Sequence, residues 1–192
     1  MTNSPRPEER KGKRERLVAS AGDLMHRNGV PVTTLAQVAD AADVPVGNVY
    51  YYFKTKDDLV RAVVEDRVAG VQALLAGLEQ RRTPAARLKA MARHWADMRE
   101  DIARRGCPIG TLCAELDRRD DALSEDSAVL MRLLLDWAED QFRQLGRRDG
   151  AELAVTLLAG VQGAALLAHT LRDPDVMANQ VRVLERWIDA LS

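Results

Sequence analysis

From Thr33 to Lys56 the chain reads TTLAQVADAADVPVGNVYYYFKTK, and its apolar residues fall into two short helical stripes. Leu35, Val38, Ala39 and Ala42 recur at the spacing of one buried helix face, and Val49 and Phe53 stand four apart in a second. Thr34 followed three residues later by Gln37 has the form of a capping box, so the first stripe starts there. Asp43-Val44-Pro45 ends it. Pro45 pushes Val44 out of the α region, and Asp43 tolerates the left-handed backbone that a sharp turn needs. A second helix restarts at Val46 and runs to Phe53, leaving Gly47, Asn48, Tyr50, Tyr51 and Tyr52 facing outward. Two short helices around a tight turn are the layout of a helix-turn-helix, whose second helix is shaped to enter a DNA major groove.

Caps divide the rest of the chain in the same way. Arg10 to Asn28 makes a first helix, with Leu17, Ala21, Leu24 and Met25 inward and Gly29 as its stop. Thr55-Lys56-Asp57-Asp58 is a second capping-box pattern and opens a fourth helix running to about Gln80. Thr83-Pro84 starts a fifth, which runs to Arg105 before Gly106. A short sixth lies around Thr111 to Leu116. Ser124 caps a seventh, with Glu125 and Asp126 set favourably against its dipole. Asp149 with Glu152 opens the eighth, and Asp173-Pro174 opens the ninth, which ends near Leu191. The expected fold is all-α, with about nine helices and no strand. An N-terminal three-helix domain over residues 10–68 carries the helix-turn-helix at about 33–52, and a larger helical domain follows over residues 69–192. The boundary falls inside the fourth helix, without a flexible linker.

The ordered set Gly29, Thr34, Val38-Ala39, Ala42, Val44, Gly47, Tyr50, Phe53, Lys56 and Leu59 resembles the TetR family of bacterial transcriptional regulators. The resemblance covers about a quarter of the chain. Asp43 stands where the family usually has glycine, and Pro45 where it usually has serine, so a hydroxyl that caps the second helix or touches a phosphate is missing here. Carried onto matching positions, the resemblance implies Thr34, Tyr50, Tyr52 and Lys56 as phosphate contacts. Val46, Gly47 and Asn48 become base-reading positions, with Tyr51 on the same outward face. It implies a DNA-binding repressor without cofactor, whose partners are double-stranded operator DNA, a second copy of itself and an unidentified small-molecule ligand; an activator, and a constitutive DNA-binding regulator without ligand, are the alternatives left open. The dimer would form through helices at about 150–171 and 174–191, whose apolar surface includes Leu157, Val161, Ala165, Val183, Leu184, Trp187 and Ile188. The ligand would lie among the fifth to eighth helices, against Met91, Trp95, Met98, Leu112, Met131, Leu134, Leu135, Trp137 and Phe142. Such side chains build adaptable pockets, but at helical spacing they equally build plain core.

Composition changes this picture little. The 192 residues are 46% apolar and only 4% aromatic, which favours helices over strands. A net charge of −1 gives no bulk support to nucleic-acid binding. Its distribution does better, because Arg10-Lys11-Gly12-Lys13-Arg14-Glu15-Arg16 gathers cations ahead of the motif. The polar N-terminus has no secretory signal. Leu153 to Leu171 is nearly long enough to span a membrane, but Thr156, Gln162 and His169 interrupt it, so a buried bundle helix in a cytoplasmic protein is expected. Gly160 and Ala164 in it allow a neighbouring helix to come close. Cys107, beside Gly106 with Arg104 and Arg105 nearby, is a candidate redox sensor, and the competing reading is a small buried hydrophobe, as for Cys113. His26, His94 and His169 are scattered, so no metal site is expected. No phosphate loop, HExxH, GxSxG or paired carboxylate supports an enzyme, and no catalytic residue is assigned.

Overall fold

The computed structural model describes residues 12–119 and 121–191, so Arg10 and Lys11 of the basic run lie outside the described residues. Among the described residues the chain is all-α, with ten helical segments and no strand, or nine if a pair broken at one residue is counted once. It divides into two compact units, the first ending at Asp66 and the second starting at Arg67.

In the first unit α1 spans Lys13–Asn28, α2 Leu35–Ala41 and α3 Val46–Tyr52. The start of α1 is held by Glu15, whose carboxylate accepts from Gly12 N at 3.3 Å. Its end is Gly29, at φ 93°, a backbone that only glycine adopts without strain. Leu17, Val18, Ala21 and Met25 are buried, while Leu24, expected inward, is half-buried. The Thr34 capping box is present: Gln37 N donates to Thr34 Oγ1 at 3.2 Å and Thr34 N donates to Gln37 Oε1 at 2.8 Å. Asp43 takes the left-handed turn at φ 52°, and Val44 N closes it on Ala39 O at 3.0 Å. Pro45 then precedes α3 without any side-chain cap.

α4 spans Lys56–Leu78, and the division between the units falls inside it. Its capping box is also made, with Asp58 N donating to Thr55 Oγ1 at 3.1 Å and Thr55 N to Asp58 Oδ2 at 2.9 Å. The backbone N–H of Thr55 and its hydroxyl hold the Asp58 carboxyl below its ordinary pKa.

The second unit contains α5 (Pro84–Asp97), α6 (Arg99–Arg105), α7 (Pro108–Asp117), α8 (Ala122–Gln144), α9 (Gly150–Leu171) and α10 (Pro174–Leu191). Thr83 caps α5 as expected, accepting from Ala86 N at 3.2 Å. The expected single helix to Arg105 instead breaks at Met98 (φ −91°, ψ 7°), which ends α5 and starts α6. α7 begins at Pro108, three residues before expectation, because Cys107 acts as its cap. Asp121, not Ser124, caps α8: Leu123 N donates to Asp121 Oδ1 at 2.9 Å, and Ser124 lies inside the helix. Asp149 precedes α9 but makes no side-chain cap, because Arg147 holds both its oxygens at 2.9 and 2.7 Å.

α9 packs against α6, α8 and α10, and α10 also packs against α5. Leu88, Met91, Leu130, Leu134, Phe142, Leu157, Val161, Met177 and Ile188 form the fully enclosed centre. Lys89–Asp189 and Arg93–Glu185 ion pairs flank the α5–α10 contact. α9 is long and apolar enough to cross a membrane by length and composition alone, with mean hydropathy 1.6. Its buried residues are spent on neighbouring helices.

Candidate nucleic-acid interface and pockets of the second unit

The outer face of α3 is set by what its inner face must bury. Val49 and Phe53 are enclosed, and Arg14 lays its guanidinium over the Phe53 ring at 5.4 Å. The opposite side then faces water, with Val46 46% exposed, Tyr50 52% and Tyr51 75%. Tyr52 is exposed too and meets Tyr51 edge to face at 5.0 Å. Asn48 is half-buried. A Cβ added to Gly47 would meet nothing within 4 Å, so packing does not demand glycine there.

The cations around this face are already oriented. Lys56 Nζ donates to Pro31 O at 2.8 Å, which ties the start of α4 to the loop before α2. Lys54 Nζ donates to Tyr50 O at 3.0 Å, at the end of α3 where carbonyls lack helical partners. Arg14 belongs to the basic run noted in the sequence, whereas Lys54 is absent from the sequence-derived set, because a cation directly after a short helix is too common a signal to select it. The Thr34 hydroxyl is engaged locally, accepting from Gln37 N and donating to Gln37 Oε1 at 3.1 Å.

Two pockets of similar size lie within the second unit. One, of about 180 Å³, is walled by Gly70, Val71 and Leu74 of α4, Trp95 and Met98, and Pro108 and Ile109 of α7, with Arg67 and His94 as its polar members. Burial pushes the His94 imidazole below its usual pKa, and the Asp97 charge pulls the other way. The second, of about 190 Å³, is lined by Gly106, Cys107, Gly110, Thr111 and Ala114 on one side and Gln162, Ala165, Leu166 and His169 of α9 on the other. Gln162 Nε2 is buried there without a hydrogen-bond partner among the described residues. A Cβ on Gly110 would stand 2.5 Å from Gln162 Oε1, so a side chain there would push the Gln162 amide aside.

Of the expected ligand residues, Trp95 and Met98 line the first pocket, and the others line neither. Met91, Leu134 and Phe142 are fully buried, Leu112 is buried, and Met131 and Leu135 are half-buried. Trp137 donates its indole N–H to Glu79 Oε1 at 2.7 Å, in a cluster with Gln141 and Arg87. Cys107 is 4% exposed, and its sulfur accepts from Trp95 Nε1 and Gly110 N, both at 3.4 Å. That arrangement packs and caps. Cys113 donates to Ser127 O at 3.3 Å, and burial pushes its thiol up to about 11.

A broad groove of about 500 Å³ runs between α9 and α10, past Gly160, Gly163, Leu167, Gln180 and Val183. In it Leu167 of α9 and Val183 of α10 are large apolar residues left in water, and Val155, Leu166 and Leu171 of α9 are exposed as well. The interface set expected from sequence divides here. Leu157, Val161, Ala165, Leu184 and Ile188 are buried within the subunit, Trp187 packs edge-on to Phe142 at 5.7 Å, and Val183 alone is exposed. Gly160 serves close packing of α9 on α10, its added Cβ falling 3.2 Å from Leu184 Cδ2, whereas Gly163 is open.

Comparison with known proteins covers both units. A family model described as bacterial regulatory proteins, tetR family, matches residues 17–63. One described as the C-terminal domain of LmrA/YxaF-like transcriptional regulators matches residues 84–182. An HTH-type transcriptional regulator from the lacX 3′ region of Lactococcus lactis subsp. lactis is 28% identical over 183 residues, covering 90% of this chain and 91% of its own. The transcriptional repressor DhaR of Mycobacterium sp. (strain GP1) is 27% identical over 164 residues, 80% of each chain. A TetR transcriptional regulator from Legionella pneumophila has the same fold, with a TM-score of 0.82 at 17% identity over 94% of this chain and 97% of that one.

Proposed function

The chain belongs to the TetR family of bacterial transcriptional regulators, and from that premise we propose a homodimeric repressor that a small, mostly apolar ligand releases from its operator. That it is a transcriptional regulator with a DNA-binding helix-turn-helix, and not an enzyme, follows from the family itself. The observation that carries the proposal is the division of α3 into an enclosed side, Val49 and the following Phe53, and a water-facing side of Val46, Gly47 and three tyrosines. A helix that presents aromatic hydroxyls and a bare backbone to solvent is suited to a groove flanked by phosphates.

Residues 10–68 are assigned the DNA-binding role, and residues 69–192 the ligand-binding and dimerisation roles. Thr34, Tyr50, Tyr52 and Lys56 contact phosphates. Val46, Gly47 and Asn48 meet base edges, where Asn48 suits adenine and Val46 a thymine methyl. The exposed apolar residues of α9 and α10 support the dimer, since Leu167 and Val183 line one groove between the two helices and large apolar side chains left in water mark interaction sites. The apolar pocket around Trp95 and Met98 supports the ligand. The repressor sense rests on DhaR, a relative that carries that name. Operator DNA as partner implies a cytoplasmic protein with no membrane partner.

The test is a gel shift of the full chain on a palindromic duplex, with sedimentation of the free protein. Half-site centres are expected about one helical turn apart, roughly 34–36 Å, or a multiple of it. A monomer at micromolar concentration that still bound one half-site as tightly as a palindrome would overturn the dimeric reading.

A further inference from the structure

The pocket beside Trp95 has a one-sided polar character that an apolar ligand alone leaves unused. Seven of its nine lining residues are carbon-rich or glycine: Gly70, Val71, Leu74, Trp95, Met98, Pro108 and Ile109. Of the other two, Arg67 carries donors only and the His94 ring can donate through one nitrogen, and no carboxylate lines the pocket. Asp97, which acts on His94 from the end of α5, lies outside the lining. Arg67 is half-buried and forms no ion pair among the described residues, whereas Arg87, Arg93, Arg105, Arg119, Arg143 and Arg147 each hold a carboxylate. A guanidinium partly removed from water and left unpaired beside an apolar hollow is poorly compensated, and a planar oxyanion matches its fork geometry.

We propose that this pocket takes a compact apolar carboxylate, with the ring or branched alkyl group against Trp95, Met98 and Leu74 and the carboxylate on Arg67 and His94. The volume sets the size. A cavity of about 150 Å³ accommodates benzene, so about 180 Å³ suits a single ring with one small substituent. The inference rests on reading this pocket as the ligand chamber, and it adds the ligand's charge class. Arg67 is also the first residue of the second unit, on the helix that continues from the DNA-binding unit.

The experiment is titration calorimetry of the full chain with benzoate and with benzamide, which has the same shape and no charge. Benzoate is expected to bind the wild type at least about tenfold tighter, the scale of one charge-assisted hydrogen-bonded pair. Arg67→Met should remove that preference while leaving benzamide within about twofold, because the methionine keeps the apolar stem. Arg67→Lys should retain most of it, which separates charge from packing. Equal or better binding of benzamide, an unchanged preference in Arg67→Met, or no binding of either probe at millimolar concentration would each overturn the proposal. Operator release is measured separately by gel shift. Arg67-dependent benzoate binding that leaves operator affinity unchanged supports the charge class and sinks the ligand-release reading. Operator release by benzamide, with no preference for benzoate, keeps ligand release and sinks the charge class.

Discussion

Replacing Gly47 with alanine should move stability and DNA affinity in opposite directions. The substitution adds one methyl group to the second residue of α3, where a Cβ meets nothing within 4 Å and the backbone is already helical. No clash offsets the helix propensity gained. Alanine is favoured over glycine inside a helix by up to about 1 kcal/mol, and near a helix start about half of that is reasonable. For a chain of this size 1 kcal/mol moves the melting temperature by about 2–4 °C, so a rise of about 1–2 °C is expected. On the operator the same methyl group occupies space that the assigned role gives to a base edge or sugar. Overpacking a close contact costs about 1–3 kcal/mol, or roughly fivefold to over a hundredfold in Kd. Gly77→Ala is the control, since its Cβ also meets nothing within 4 Å but it lies near the far end of α4. It should raise the melting temperature and leave DNA binding alone. Thermal melts and gel shifts on one preparation decide the matter. An operator affinity within twofold of wild type for Gly47→Ala would remove Gly47 from the interface, and a fall in melting temperature would contradict the open space around it.

Three further outcomes are expected. Lys56→Ala should weaken binding to all duplexes alike and reduce the salt slope by about one phosphate contact, with a stability loss of about 1 kcal/mol from the Pro31 carbonyl bond, read by salt-dependent titration and melting. Leu166→Glu and Leu167→Glu should give a folded monomer in sedimentation, because both side chains are exposed on α9, whereas Val161→Glu should unfold the subunit, since Val161 is enclosed. The Cys113 thiol, raised by burial from 9.0 to about 11, should alkylate with an inflection near pH 11. Its folded-state pKa lies above the unfolded value, so its contribution to stability is intact below about pH 9 and is lost as pH rises through the folded value. An inflection near 9 in the folded protein would refute that environment.

What could be read from the sequence was whatever depends on near neighbours along the chain. The Thr34–Gln37 and Thr55–Asp58 boxes are contacts between residues three apart, and the Asp43 turn is a local backbone choice, so residue identity nearly determines them. Ser124 and Asp121 are both competent caps three residues apart, and nothing local decides between them. The break at Met98 carries no glycine or proline, so residue identity does not announce it. The pocket illustrates the deeper limit. Met91 and Trp95 sit one turn apart on α5 and are both buried, yet of the two only Trp95 lines the cavity. The pocket's cation comes from Arg67, far upstream on α4, where no periodic pattern marks it. Val161 and Leu166 likewise share one apolar helix, and only packing shows which of them meets water.

A practical rule of dissection comes from α4, which belongs to both units. Cutting the chain at the unit boundary, between Asp66 and Arg67, would sever a helix of 23 residues near its middle. The stump would end with four backbone carbonyls lacking their partners and with no cap to receive them. The natural scissor point is instead the turn from Glu79 to Arg82, after the helix has ended and before Thr83 caps α5. A reading head excised there keeps α4 whole. One excised at residue 66 should melt lower and less cooperatively, its deficit being a frayed helix end and no defect of the head itself.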